Sequence, residues 1–99
     1  MENLSVAVMT AVNELAGRHG IKPYEFVAVL DTKLDHPTDI ELRFESTPDQ
    51  NVPAFDRMLE DLGVPHAGDD MPRLRGSEET IYRSLERALE KAPKRSKMR

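Results

Sequence analysis

The chain contains no cysteine and no tryptophan, only two tyrosines and three phenylalanines, and no long apolar run. Each shortage excludes something. Without cysteine there is no disulfide framework, no thiolate zinc site, no iron–sulfur cluster and no cysteine nucleophile. That fits a reducing compartment. The uncharged stretch from Asn3 to Asn13 is far shorter than the roughly 20 residues that cross a bilayer. It follows Glu2 rather than a basic cluster, which argues against a secretory leader. Together these features point to a cytoplasmic location. The glycines (Gly17, Gly20, Gly63, Gly68 and Gly76) are scattered, so no glycine-rich phosphate loop exists.

What is present suits one small α+β domain. Ninety-nine residues, 38% hydrophobic and 32% charged, can bury a thin but adequate core. Eighteen acids against fourteen bases give a net charge of −4, unevenly spread. Residues 91–99 hold Lys91, Lys94, Arg95, Lys97 and Arg99 with no acid, so the remainder is strongly acidic. We therefore expect a single domain over residues 1–91 and a disordered basic tail over residues 92–99. An acidic body repels phosphate and makes a poor nucleic-acid groove.

Apolar residues at three- and four-residue spacing (Leu4, Val8, Ala11, Val12, Leu15) predict a first helix from Leu4 to His19, with Asn3 able to cap its start and Gly20 at the left-handed position that ends it. Val6 and Met9 widen its apolar face, so this helix is expected to be covered on two sides, either by the rest of the fold or by a second subunit. Further on, Pro53 can open a helix whose buried stripe is Phe55, Met58, Leu59 and Leu62, closed by Gly63. Residues 64–76 read as an irregular loop in which Leu74 offers a short edge strand. The last helix runs from Glu78 to Lys91, with Ser77 as its cap and Glu78 and Glu79 near the positive end of its dipole. Its core face is Ile81, Leu85, Ala88 and Leu89.

Residues 24–46 admit two readings. In the first they form a β-hairpin in which Leu34 faces Ile40, Thr32 faces Leu42 and Leu30 faces Phe44 across a loop from Asp35 to Asp39. That register gathers Phe26, Ala28 and Leu30 on one apolar side and matches Lys33 with Glu41 and Asp31 with Arg43 on the other. In the second, Pro23 to Leu34 is a helix. Ala16, Gly20, Ile21, Phe26 and Val29 then give residues 15–31 a pattern that resembles a helix-turn-helix motif, which implies DNA binding. The second helix of that motif offers Lys22, Tyr24, Glu25, Val27 and Ala28, a poor set for reading base edges or phosphates. Tyr24, Phe26, Val27 and Val29 also favour strands, so the hairpin is the better-supported reading. The expected fold is thus α+β, a small antiparallel sheet with at least one hairpin packed by three helices in the order α-β-β-α-α. The 70–76 segment is available as a third strand.

Residues able to carry chemistry are present but poorly spaced. Asp35, His36 and Asp39 sit in the proposed hairpin loop, and His66, Asp69 and Asp70 in the long loop; neither set has metal-ligand spacing. His19 lies where an imidazolium meets a helix C-terminus. Ser5, Ser46, Ser77, Ser84 and Ser96 lack the glycines of a hydrolase elbow. No catalytic, cofactor or metal residue is assigned. The residues most available to a partner are the tail cations Lys94, Arg95, Lys97 and Arg99, to which Arg73 and Arg75 can add; they suit weak, salt-sensitive contact with nucleic acid or an acidic surface. The expected role is a non-catalytic interaction module, a homodimer formed through the first helix or the sheet edges. The alternatives are a nucleic-acid-associated protein and a small metal-dependent or acid–base enzyme.

Overall fold

The computed structural model describes residues 4–35, 38–48, 52–64 and 72–93. Helix α1 (Leu4–Arg18) leads through a short 3-10 turn (Pro23–Glu25) into strand β1 (Phe26–Asp31) and then β2 (Asp39–Ser46). Helix α2 (Val52–Leu62), strand β3 (Arg73–Ser77) and helix α3 (Glu78–Lys91) complete the order α-β-β-α-β-α. The three strands form one antiparallel sheet with β2 in the centre. The class is the expected α+β, and the third strand lies beyond β2. No helix among the described residues is long and apolar enough to cross a membrane.

Local chemistry sets the ends of the helices. At the end of α1 the Ile21 amide donates to the Ala16 carbonyl (2.9 Å) and the Gly20 amide to that of Gly17 (3.0 Å). The end of α2 repeats this, with Val64 donating to Leu59 and Gly63 to Glu60, each at 3.0 Å. Both closures need a left-handed residue, supplied by Gly20 (φ 75°) and Gly63 (φ 73°). Each glycine is followed by an apolar residue, Ile21 or Val64, that plugs into the core. Helix α3 is capped by Ser77, whose Oγ accepts from the Thr80 amide at 3.1 Å. Ser77 is also the last residue of β3, so strand and helix join with no intervening loop and α3 folds back onto the sheet.

Alternation along the strands puts even-numbered residues on the helix side. Phe26, Ile40, Leu42 and Phe44 are buried there, with Ala28, Leu30 and Leu74 packed at their margin. The three phenylalanines meet from three elements: Phe26 on β1, Phe44 on β2 and Phe55 on α2 lie with ring centroids 6.4–6.5 Å apart, tilted or edge-on. Val8, Val12 and Leu15 of α1, Met58 and Leu59 of α2, and Ile81, Leu85 and Ala88 of α3 close the core above them.

Two expectations need correction. Residues 24–34 do not form a helix, so the helix-turn-helix resemblance over residues 15–31 is not a helix-turn-helix: Ala16, Gly20 and Ile21 build the closure of α1, and Phe26 and Val29 lie on a strand. The hairpin pairs two residues away from the expected register, with Leu30 opposite Leu42, Ala28 opposite Phe44 and Asp31 opposite Glu41. The reason lies in the turn. The Asp31 carboxylate accepts from the Lys33 amide at 2.9 Å and draws the chain out of the ladder, so Thr32, Lys33 and Leu34 belong to the connection instead of the strand. A slip of two preserves which side chains face the core, because the pleat repeats every two residues.

Candidate functional site

The sheet's second face carries the odd-numbered side chains: Val27, Val29 and Asp31 from β1, Asp39, Glu41, Arg43 and Glu45 from β2, and Arg73 and Arg75 from β3. Their charges are cross-linked. Arg43 Nη1 lies 3.1 Å from Glu41 Oε1 and 3.6 Å from Asp31 Oδ2, and Arg73 Nη1 lies 3.6 Å from Glu41 Oε2. Glu41, central in the lattice, is only 8% exposed. A carboxylate so placed needs compensating cations, and the guanidinium groups of Arg43 and Arg73 supply them. The expected Lys33–Glu41 match is replaced by these arginines, whereas Asp31 and Arg43 do meet, diagonally instead of directly opposite.

The two sheet edges differ in character. The Phe44 amide donates to the Pro72 carbonyl at 3.0 Å, so the backbone of even-numbered residues in β2 points to β3 and that of odd-numbered residues to β1. By the observed register, Val27, Val29 and Asp31 spend their backbone groups on β2. The N–H and C=O of Ala28 and Leu30, and the C=O of Phe26, therefore face outward along the edge of β1, which is free of any other strand among the described residues. On β3 the outward residues are Arg73 and Arg75, both exposed, and these charges guard that edge against another strand. Strand β1 has no such guard. From Phe26 to Leu30 it contains no charge, no proline and no glycine. Of the three large apolar side chains that stand well out in solvent among the described residues, two lie on or beside it: Tyr24 at 61% and Val27 at 45% exposure.

Against protein-family models, curated proteins and solved structures the chain shows no match.

The other candidate residues have structural partners or lie outside the described segments. His19 Nε2 sits 2.8 Å from Asp61 Oδ2, its side chain 5% exposed, and so joins the C-terminal ends of α1 and α2. The sequence pointed to the helix end for His19 but not to Asp61, which is 42 residues away. Ser5 Oγ donates to Glu78 Oε2 at 2.7 Å, tying α1 to the start of α3. Asp39 and Glu78 line an open depression of about 400 Å³ together with Thr32, Thr38 and Ile40. Among the described residues no group of three or more His, Asp or Glu side chains could hold a metal ion. Asp35 is exposed beyond β1, while His36, His66, Asp69, Asp70 and the tail cations Lys94, Arg95, Lys97 and Arg99 lie outside the described residues. Ala92, the first residue of the expected tail, is instead buried and donates its amide to the Ala88 carbonyl at 2.9 Å, so the packed domain extends one residue beyond the expected boundary. Val6, expected to broaden the apolar face of α1, is 61% exposed, and Met9 packs against the core.

Proposed function

We propose that the protein is a non-catalytic interaction module whose contact element is the free edge of β1. The observation that carries this reading is the juxtaposition along one strand of outward backbone groups at Ala28 and Leu30, an uncharged Phe26–Leu30 sequence, and exposed Tyr24 and Val27. An unguarded edge is a template for a further strand, with the main chain supplying affinity and alternate side chains supplying selectivity. The reading is also supported by the employment of the chemistry-bearing side chains: His19 holds Asp61, Ser77 caps α3 and Glu41 is tied to Arg43 and Arg73.

Amide exchange tests the proposal. Uncharged extended peptides of alternating valine and threonine, added to dilute protein, should slow exchange at the Ala28 and Leu30 amides and leave those of Arg73 and Arg75 unchanged. Slowing confined to β3, or none on either edge, overturns the proposal.

A further inference from the structure

Building on the reading of β1 as a contact edge, we infer that the occupant of that edge is a second copy of this chain, paired antiparallel about Ala28. The sequence of the strand is its own complement in that register. Ala28 faces the partner's Ala28, Phe26 faces the partner's Leu30, and Val27 faces the partner's Val29. On the helix side the pairing closes over Ala28 and Leu30, which the single chain leaves half-buried at the margin of its core. On the open face it gathers Val27 and Val29 with the partner's Val29 and Val27 into one apolar strip. Ala28 exchanges both backbone hydrogen bonds with the partner's Ala28, and the Leu30 amide reaches the Phe26 carbonyl of the partner subunit.

Charge favours this seam over other contacts between copies. The chain is net negative, so two copies repel over most of their surfaces, and Phe26–Leu30 is an edge where neither brings a charge. The flanking acids are already engaged: Asp31 by Arg43 and the Lys33 amide, Glu25 by the Lys22 amide at 2.9 Å. Pairing the basic β3 edge with itself would instead set Arg73 and Arg75 against their own copies. Sliding the β1 register one step further would set exposed Val27 against the partner's Asp31. A contact built from one short strand and the adjacent Tyr24 buries less than the roughly 800 Å² per partner of a standard interface. Association is therefore weak and grows with concentration.

Sedimentation equilibrium provides the test. Between about 1 μM and 1 mM, the range for such an interface, the mass should climb from the 11.2 kDa of the chain towards twice that value. Val27→Lys, a change at an exposed position that leaves the fold intact by circular dichroism, should hold the mass at that of one chain. Val6→Lys, the same exchange on α1, should leave the climb unaltered. The chain lacks cysteine, so introduced thiols report the register cleanly. Val27→Cys mixed with a size-tagged Val29→Cys should give a mixed disulfide under mild oxidation, because directly opposed non-hydrogen-bonded residues lie about 4.5 Å apart at Cα. Either variant alone should not cross-link. A single-chain mass at every concentration, dissociation by Val6→Lys instead of Val27→Lys, or self-cross-linking of Val27→Cys overturns the inference. If the mass stays at one chain while the valine–threonine peptides still protect Ala28 and Leu30, the edge is a contact element for a different partner; if those peptides fail too, the functional reading falls with it.

Discussion

Two glycines three residues apart should respond in opposite directions to the same substitution. Gly17 lies within α1 at negative φ, and Gly20 closes that helix at φ 75°. A Cβ added at either position meets no atom within 4 Å, so contacts cannot distinguish the two sites. Only backbone conformation can. In Gly17→Ala the added methyl restricts the unfolded chain and suits the helix, a gain of about 0.5–1 kcal/mol. In Gly20→Ala the left-handed backbone costs an L-residue about 1–2 kcal/mol, from which the unfolded-state gain of roughly 0.4–1 kcal/mol is subtracted. The net loss is about 1 kcal/mol, and the two variants should differ by about 2 kcal/mol. Urea unfolding at one fixed protein concentration reads this directly. With a slope of about 2 kcal/mol/M, each midpoint moves by roughly 0.3–0.5 M, upward for Gly17→Ala and downward for Gly20→Ala. Gly20→Asn should lose less than Gly20→Ala, because asparagine tolerates the left-handed region. If Gly20→Ala matches or exceeds the parent protein, the hydrogen-bonded closure at Ala16 and Ile21 is not what ends α1.

Ser77→Ala removes the acceptor for the Thr80 amide and should cost about 1 kcal/mol, while Ser77→Asp, which keeps an acceptor, should restore most of it in the same urea assay. Leu42→Ala, at a fully buried position in the central strand, should cost about 2–5 kcal/mol and lower the thermal midpoint by ten degrees or more; a loss below 1 kcal/mol would mean that the core collapses around the missing side chain. A double-mutant cycle on His19→Ala and Asp61→Ala should show a coupling of about 0.5–1.5 kcal/mol across α1 and α2, and simple additivity would deny the 2.8 Å contact any energetic role.

Much of the architecture could be read locally because its causes are local. Ser77-Glu78-Glu79 marks the start of α3 without reference to the rest of the chain, and Gly20 and Gly63 sit at the left-handed positions where α1 and α2 close. The two faces of β1 and β2 were legible for a related reason: burial acts on every second side chain and punishes a slip of one residue. A slip of two leaves both faces intact, so the choice falls to finer effects. Opposite-charge matching within the hairpin favours Lys33 for Glu41, yet Glu41 takes Arg43 from its own strand and Arg73 from β3, a strand the hairpin alone does not contain. The third strand left a faint trace because Arg73–Ser77 has Leu74 as its only large apolar residue. Its strand character comes from pairing with β2 rather than from its own pattern.

The same dependence on neighbours governs the candidate site. The valines at 27 and 29 could be seen to lie off the apolar face, but whether they mark an interior strand or an open edge depends on whether β3 joins the hairpin beside β2 or beside β1. With β3 beyond β2, β1 keeps an edge that no other strand among the described residues pairs with, and the arginines that guard an edge fall on the opposite one. The contest between strand and helix in residues 24–34 is settled by the same packing. A helix would align Val27, Leu30 and Leu34 and turn Phe26 about 100° away from Val27. A strand sets Phe26 beside Phe44 and under Phe55, joining β1, β2 and α2 at one point of the core while leaving Val27 in solvent. Burying Phe26 in that cluster and exposing Val27 are therefore one structural choice. The apolar residue that remains outside is the one that a partner strand would cover.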